Sequence, residues 1–160
     1  MPKVSIVLVT YRRKVNLERI LKEWLKQTPD VWLCDCGVNF KTELPIKIIK
    51  FNPDPGNKAR HAAALLTSGD YVIKADDDFL PKPGLIKDFL DNYPKNKGGI
   101  LGIHGRKFNG KSYYKDTRVF VADKINKIIE IDNVDTAYPK ISGKELLLFI
   151  AFMVFILKEL

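Results

Sequence analysis

Cysteine is nearly absent from this chain: two residues, Cys34 and Cys36, among 160. With one residue between them they cannot bridge without distortion, and no second pair exists to complete a zinc site. A disulfide-stapled fold and a structural zinc centre are therefore excluded. Both thiols are expected as reduced, buried small hydrophobes of a cytoplasmic protein. The opening residues lack signal-peptide architecture and run straight into strand-like sequence. No apolar run reaches the roughly 20 residues that a membrane-spanning helix needs. No glycine-rich phosphate loop follows the first predicted strand, which argues against a nucleotidyltransferase. Histidine is scarce too: His61 and His104 have no neighbours at metal-ligand spacing, and both are expected to be structural. Repeats, linkers and low-complexity tracts are absent, so residues 1–160 are expected to form one domain.

What is present is an ordinary globular composition, 46% hydrophobic and 29% charged, long enough to bury a sizeable core. Lys and Arg number 27 against 19 Asp and Glu, a formal charge of +8. That balance suits anionic partners such as nucleotide phosphates, nucleic acid or an anionic membrane face. The lysines are scattered rather than blocked, which also fits a plain solvated surface. A nucleic-acid module has only this charge in its favour, and no nucleic-acid partner is expected.

Hydrophobic periodicity gives the order of elements. Val4 to Val9 is a short β-branched run that reads as a buried parallel strand. Leu17, Ile20, Leu21, Trp24 and Leu25 are spaced for one helix face, with Asn16 as start signal and Pro29 just past the end. Strands follow at residues 31–36 and 46–51, then a Pro-Asp-Pro-Gly turn at 53–56. A helix is predicted over residues 57–67, with Gly69 as its stop. A strand at 71–75 precedes a helix at 83–92, with Pro83 in its first turn. A fifth strand is placed at 99–104, a hairpin or edge strands at 111–122, and a further strand at 128–134. This rhythm is that of an α/β fold with a mostly parallel central sheet flanked by helices and a smaller mixed, antiparallel C-terminal part. Right-handed crossovers then bring Thr10-Tyr11, Asp35 and Asp76 to Asp78 to one strand-end rim, where such sheets bind ligands.

Asp76, Asp77 and Asp78 carry the strongest chemical signal. Three adjacent carboxylates repel one another unless a cation or donors compensate. Mg2+ or Mn2+ takes oxygen ligands and bridges carboxylates to phosphates, which would stabilise a diphosphate as a leaving group. The plain rival is an acidic loop capping the next helix.

Five pieces, in order, resemble family 2 glycosyltransferases over residues 2–104. Pro2 to Tyr11 resembles their opening strand and its Thr-Tyr-Asn-Arg end, and Asn16-Leu17 with Leu21 resembles their first helix. Leu33-Cys34-Asp35-Cys36-Gly37 resembles their second strand. Gly56 to Ala62 resembles a Gly-x-x-x-Ala-Arg-Asn helix start. Ser68 to Val72, then Ala75 to Asp78, resembles a Gly-(Asp/Glu)-Tyr strand and an Asp-x-Asp motif. The resemblance implies a glycosyltransferase-A, Rossmann-like fold. It divides the chain into a nucleotide-sugar-binding half at 1–104 and an acceptor-side half at 105–160.

The implied activity is metal-dependent transfer of a sugar from a nucleotide-diphospho-sugar, UDP-linked by preference, to an acceptor hydroxyl on a glycan, lipid or protein, with inversion. By position, Thr10, Tyr11 and Arg13 would line the nucleotide pocket and Asp35 would accept a hydrogen bond from the base. Arg60 would face the diphosphate or steady the acidic loop. Asp76 would contact ribose or metal, Asp77 would join the nucleotide-sugar site, and Asp76 and Asp78 would hold Mn2+ or Mg2+. Rival readings make Thr10 a strand terminator, Arg12 and Arg13 solvated, Asp35 a turn residue and Arg60 a helix-surface residue. Arg12 and His61 stand where Asn is usual, and Cys36 and Val38 replace more polar residues. These departures bear on the donor base more than on the fold.

Leu146 to Leu157 is a run of twelve apolar residues, short for a membrane span. Ser142-Gly-Lys-Glu145 fits a capping box and hence a helix; a buried strand is the rival reading. Residues 152–160 resemble the family's late strand and the start of its next helix. The family's general base, usually Asp, is expected after that strand, where this sequence ends. Asp132 and Asp135 precede it and leave Asp135 as the candidate. The alternative function is a non-catalytic nucleotide-sugar or carbohydrate-binding remnant. The apolar end could also meet a partner chain or the cytoplasmic membrane face.

Overall fold

The computed structural model describes residues 1–56, 58–96, 101–102, 104–108, 117–121, 130–131, 145–146 and 153–157. The chain divides into two compact units, Met1–Asp88 with Leu157–Leu160, and Phe89–Ile156.

In the first unit the strands are β1 (Val4–Thr10), β2 (Val31–Asp35), β3 (Lys47–Lys50) and β4 (Tyr71–Asp76). They pair in the order β3-β2-β1-β4, all parallel. The order reverses beside β1, because β2 lies on one side of it and β4 on the other. That is the switch point where open parallel sheets hold ligands beyond the carboxyl ends of their strands. Register aligns those ends: Thr10 pairs with Asp35, and Val9 with Asp76.

Helix α1 (Leu17–Leu25) buries Leu17, Ile20, Leu21 and Trp24 along one face. Each contributes about 1.5–3 kcal/mol by leaving water. Asn16 occupies the expected N-cap, but in the left-handed region at φ 65, and its side chain makes no cap bond. The helix opens instead through backbone, Ile20 N–H to Asn16 O at 2.9 Å.

Helix α2 (Lys58–Leu66) presents small residues inward. Ala59, Ala63 and Ala64 pack with Val7, Cys34, Cys36 and Val72. Both cysteines are free and buried, and burial pushes each thiol up to about 12.

Gly69 follows α2, yet its role is close approach rather than a left-handed stop. A Cβ there would lie 2.8 Å from both Ser5 N and Tyr71 O. The Gly69 N–H donates to Ser5 Oγ at 3.0 Å, and Ser5 in turn donates to Asp30. Helix α3 (Leu85–Asn92) starts two residues after Pro83, because Gly84 adopts φ 76 and forms a turn first.

In the second unit, β5 (His104–Phe108) pairs antiparallel with β6 (Thr117–Val121), and β7 (Glu130–Ile131) with β8 (Glu145–Leu146). β6 lies inside the predicted hairpin region and β7 inside the strand predicted at 128–134. The fifth strand begins at His104, where the prediction ends it; residues 97–100 and 103 lie outside the described ones. Strand β9 is Met153–Leu157. The capping box at 142–145 therefore does not open a helix at Glu145, which belongs to β8. Val154, Phe155 and Ile156 in β9 are β-branched or aromatic, the residue types that suit a pleated surface. Among the described residues no helix is long and apolar enough to cross a membrane.

Candidate active site

The three aspartates at the end of β4 point to three different partners. Asp76, the last residue of β4, pairs with Arg60 of α2, with Oδ1 2.6 Å from Nη2. Both side chains are largely buried, at 18% and 7% exposure. Burial pushes the Asp76 carboxyl up to about 6; Asp78 and Asp77 add to the rise, and Arg60 opposes it.

Asp77 turns towards the end of β1. Its Oδ2 lies 2.8 Å from the Thr10 hydroxyl and accepts the Tyr11 N–H at 3.3 Å. Thr10 Oγ1 is also 2.8 Å from Arg13 O, and its single proton serves one acceptor at a time. Asp78 reaches outward and binds Arg13, which also lies 3.4 Å from Asp77. The bond from Asp78, then the charges of Asp77 and Asp76, hold the exposed Arg13 guanidinium above its ordinary value.

Thr10, Tyr11, Asp76, Asp77 and Asp78 thus meet at one rim, as their strand-end positions predict, and Arg13 and Arg60 join them through ion pairs to the aspartates. Thr10 is fully buried, so its hydroxyl positions Asp77 rather than facing outward. Tyr11 is exposed, with the Arg12 guanidinium 4.7 Å from its ring centroid.

Asp35 is held by its own loop. It is 2% exposed, and its carboxylate accepts the N–H groups of Val38 at 2.7 Å, Asn39 at 3.2 Å and Phe40 at 2.7 Å. Two of these loop donors meet Oδ1 and one meets Oδ2. Its carboxylate closes the turn that its position before Gly37 suggested, and Oδ2 keeps acceptor capacity beyond the single Phe40 N–H. Asp132 and Asp135 lie outside the described residues, as does the side chain of His104.

Lys74 was missed because Tyr71 to Ala75 reads as an apolar strand. It is 1% exposed, with Nζ 2.7 Å from Nδ1 of His61. Burial and the nearby Arg60 push the Lys74 ammonium down to about 8. Burial, then Lys74 and Arg60, push His61 down to about 4. The signal was a lone charge in an otherwise apolar strand, two residues before the aspartates. Lys74 and Asp76 share a strand face. Both meet α2, at His61 and Arg60 respectively.

Beside Asp77 and Asp78 a cleft of about 320 Å³ opens, lined among others by Arg12, Arg13, Lys14, Asn16 and Arg19. Lys14 and Arg19 had drawn no attention in the sequence, where they belong to the scattered basic surface. Among the described residues no group of three or more His, Cys, Asp or Glu side chains converges as a ready metal cage. Asp76 and Asp78 nevertheless suit a hard cation. They are oxygen donors, and the like charge of Asp77 and Asp78 that helps push Asp76 up is what a bound cation would relieve. Magnesium and manganese sites of this kind are completed by phosphate oxygens and water rather than by protein alone.

Comparison with known proteins agrees with this layout. The chain is 28% identical over 144 residues to the uncharacterized glycosyltransferase YwdF of Bacillus subtilis (strain 168), a match covering 74% of this chain and 54% of YwdF. Two solved structures are similar in fold. S. aureus TarS 1-349 has a TM-score of 0.54 at 21% identity, covering 69% of this chain and 37% of that one. Mannosyltransferase PcManGT from Pyrobaculum calidifontis, solved with GDP-Man and Mn2+, has a TM-score of 0.53 at 16% identity, covering 64% and 35%. TarS 1-349 was also solved with UDP-GlcNAc. The chain therefore spans about half the length of the curated relative and about a third of these structures. The α/β sheet with flanking helices is the glycosyltransferase-A arrangement of these neighbours. Residues 5–150, nearly the whole chain, match the family described as Glycosyl transferase family 2, and the chain belongs to that family.

Proposed function

We propose that this chain binds a nucleotide-diphospho-sugar at the β1–β4 rim and transfers the sugar to an acceptor hydroxyl with inversion. The observation that carries this reading is the pairing of Asp76 with Arg60 and of Asp78 with Arg13 at the switch point of the sheet. Two cations and two carboxylates there can be re-partnered by a diphosphate and a divalent ion. Asp76 and Asp78 would hold Mn2+ or Mg2+, which when bound supplies charge neutralisation to the leaving diphosphate. Arg60 and Arg13, released from their carboxylates, face the phosphate oxygens with guanidinium forks. Asp77, tied to Thr10 and the Tyr11 N–H, keeps the two strand ends in register. Tyr11, exposed beside Arg12, offers a flat face to the base.

The acceptor oxygen attacks the anomeric carbon as its bond to the diphosphate oxygen breaks. The acceptor proton passes to a general base, for which Asp135 is the candidate. A UDP-linked donor is favoured, consistent with the UDP-GlcNAc complex of TarS; the GDP-Man complex of PcManGT supplies the competing base. Asp35, steadied by its own loop and with one N–H on Oδ2, would accept a hydrogen bond from the base. Residues 1–104 form the donor half and 105–160 the acceptor half of a single domain, acting on a glycan, lipid or protein at the cytoplasmic face of the membrane.

A panel of nucleotide sugars, with Mn2+ or Mg2+ and simple sugar acceptors, tests the proposal. Release of nucleoside diphosphate from one donor in a metal-dependent manner supports it. Metal-dependent binding without turnover of any donor would instead support the non-catalytic remnant.

A further inference from the structure

We infer that Lys74 is a positioning residue of the donor site: its bond to His61 sets helix α2 against strand β4 so that Arg60 meets Asp76. The observation behind this is a series of contacts between one face of β4 and α2. Val72, Lys74 and Asp76 alternate onto the same face of the strand. Val72 packs in the cluster that holds Ala59, Ala63 and Ala64 of α2. Lys74 Nζ lies 2.7 Å from His61 Nδ1. Asp76 Oδ1 lies 2.6 Å from Arg60 Nη2. Arg60 and His61 are neighbours on α2, so a shift that moves one moves the other.

The apolar part of this contact fixes the helix poorly. Ala59, Ala63 and Ala64 offer single methyl groups, which bury area without the ridges that select one packing arrangement. The polar part is different. Lys74 is 1% exposed and Arg60 5%. A buried polar group costs more when its hydrogen bond is broken than the bond contributes when made. The Lys74–His61 bond therefore selects the setting of α2 in which it forms, and in that setting Arg60 emerges beside Asp76.

Lys74 stands about 6–7 Å along the strand from Asp76, beneath the rim. It acts through His61 and the helix rather than on the donor itself. That the rim takes a nucleoside diphosphate is the reading above, on which the word donor rests. The delivery of Arg60 to Asp76 does not depend on it.

The test compares the full 160-residue chain with Lys74→Met, His61→Leu, the double variant of these two, and His61→Asn. The first readout needs no ligand: the Nε–Hε NMR signal of Arg60, assigned with Arg60→Lys. The second is calorimetry of UDP and of GDP, each with Mn2+, and thermal melts follow folding. Lys74→Met is expected to move the Arg60 signal towards that of a solvated arginine. Affinity for whichever diphosphate the parent binds should fall by about tenfold. The double variant should also lose about tenfold rather than about a hundredfold, because the two residues act as one unit. His61→Asn, whose amide oxygen takes the place of Nδ1, should keep the parent's signal and bind within about twofold. Where Lys74→Met alone does not fold, the double variant carries the same readouts.

A folded Lys74→Met that melts lower but keeps the parent's Arg60 signal would make the pair purely structural and overturn the inference. A displaced signal with unchanged diphosphate affinity would remove Lys74 from the donor site and overturn it too. A loss of about a hundredfold in the double variant would overturn the route through His61. If the parent binds neither diphosphate yet Lys74→Met displaces the Arg60 signal, the positioning of Arg60 stands and the nucleotide reading fails.

Discussion

Asp77 Oδ2 lies 2.8 Å from the Thr10 hydroxyl, joining the ends of two parallel strands across 67 residues of sequence. Of the three adjacent aspartates, the middle one is the most buried and the one most tied to neighbouring strand ends. The consequence is a division of labour: Asp77 holds the rim together, while Asp76 and Asp78 remain paired to arginines that a ligand can compete for.

Stability should therefore fall unequally across the three. Asp77→Ala removes a charged acceptor from a buried hydroxyl and a backbone N–H, and hydrogen bonds to charged groups contribute about 1.5–3 kcal/mol. Urea unfolding is expected to show a loss of about 2–3 kcal/mol. Asp78→Ala removes only an exposed ion pair, which contributes about 0–1 kcal/mol. A double-mutant cycle with Thr10→Val should recover a coupling above about 0.5 kcal/mol for Asp77 and none for Asp78. Equal losses at the two aspartates would contradict this account.

Arg12 adopts φ 61, a conformation in which Asn is far more at ease than Arg. A left-handed residue costs roughly 1–2 kcal/mol, part of which Asn recovers. Its stacking on Tyr11 returns only about 0.5–1 kcal/mol at an exposed site. Arg12→Asn is therefore expected to raise stability by about 0.5 kcal/mol. A lowered denaturation midpoint would mean that the Arg12–Tyr11 contact outweighs the strain.

His61 predicts an acid-side instability. Its folded value near 4 lies below the ordinary 6.5, so the unfolded chain takes up the proton first as pH falls. Stability should be fully present above about 6.5 and decline between there and about 4, by on the order of 1–3 kcal/mol. His61→Asn, whose amide oxygen can still accept from Lys74, should flatten that decline. Thermal melts at pH 7 and pH 5 compare the two proteins, and an unchanged slope in the variant would remove His61 as the cause.

The parallel half of the fold was legible because its strands are short apolar runs and α1 has a clean apolar face. Those are local signals that tertiary packing then reinforced. The shared rim was legible for a topological reason: strand ends in a right-handed α/β sheet must fall on one side. What was not legible depended on contacts across the sequence. Nothing local distinguishes Asp77 from Asp78, or shows that the loop after Asp35 folds back to occupy its carboxylate. Lys74 drew no attention because its partner, His61, is distant in sequence, on α2. Gly69 was assigned the commonest use of glycine near a helix end, whereas the neighbouring backbone of Ser5 is what excludes a side chain. Near the C-terminus the four-residue capping pattern suggested a helix, whereas its last residue, Glu145, lies in β8.

The central claim is that Asp78, with Asp76, holds a divalent cation that admits a nucleoside diphosphate to the rim. Calorimetry of UDP and GDP, with Mn2+ and with a chelator, on the parent and on Asp78→Ala tests it most directly. The account predicts tighter binding with Mn2+ in the parent, and loss of that metal dependence in the variant with little change in its melting temperature. A variant that melts lower yet gains as much affinity from Mn2+ as the parent would make Asp78 a structural residue and contradict the site.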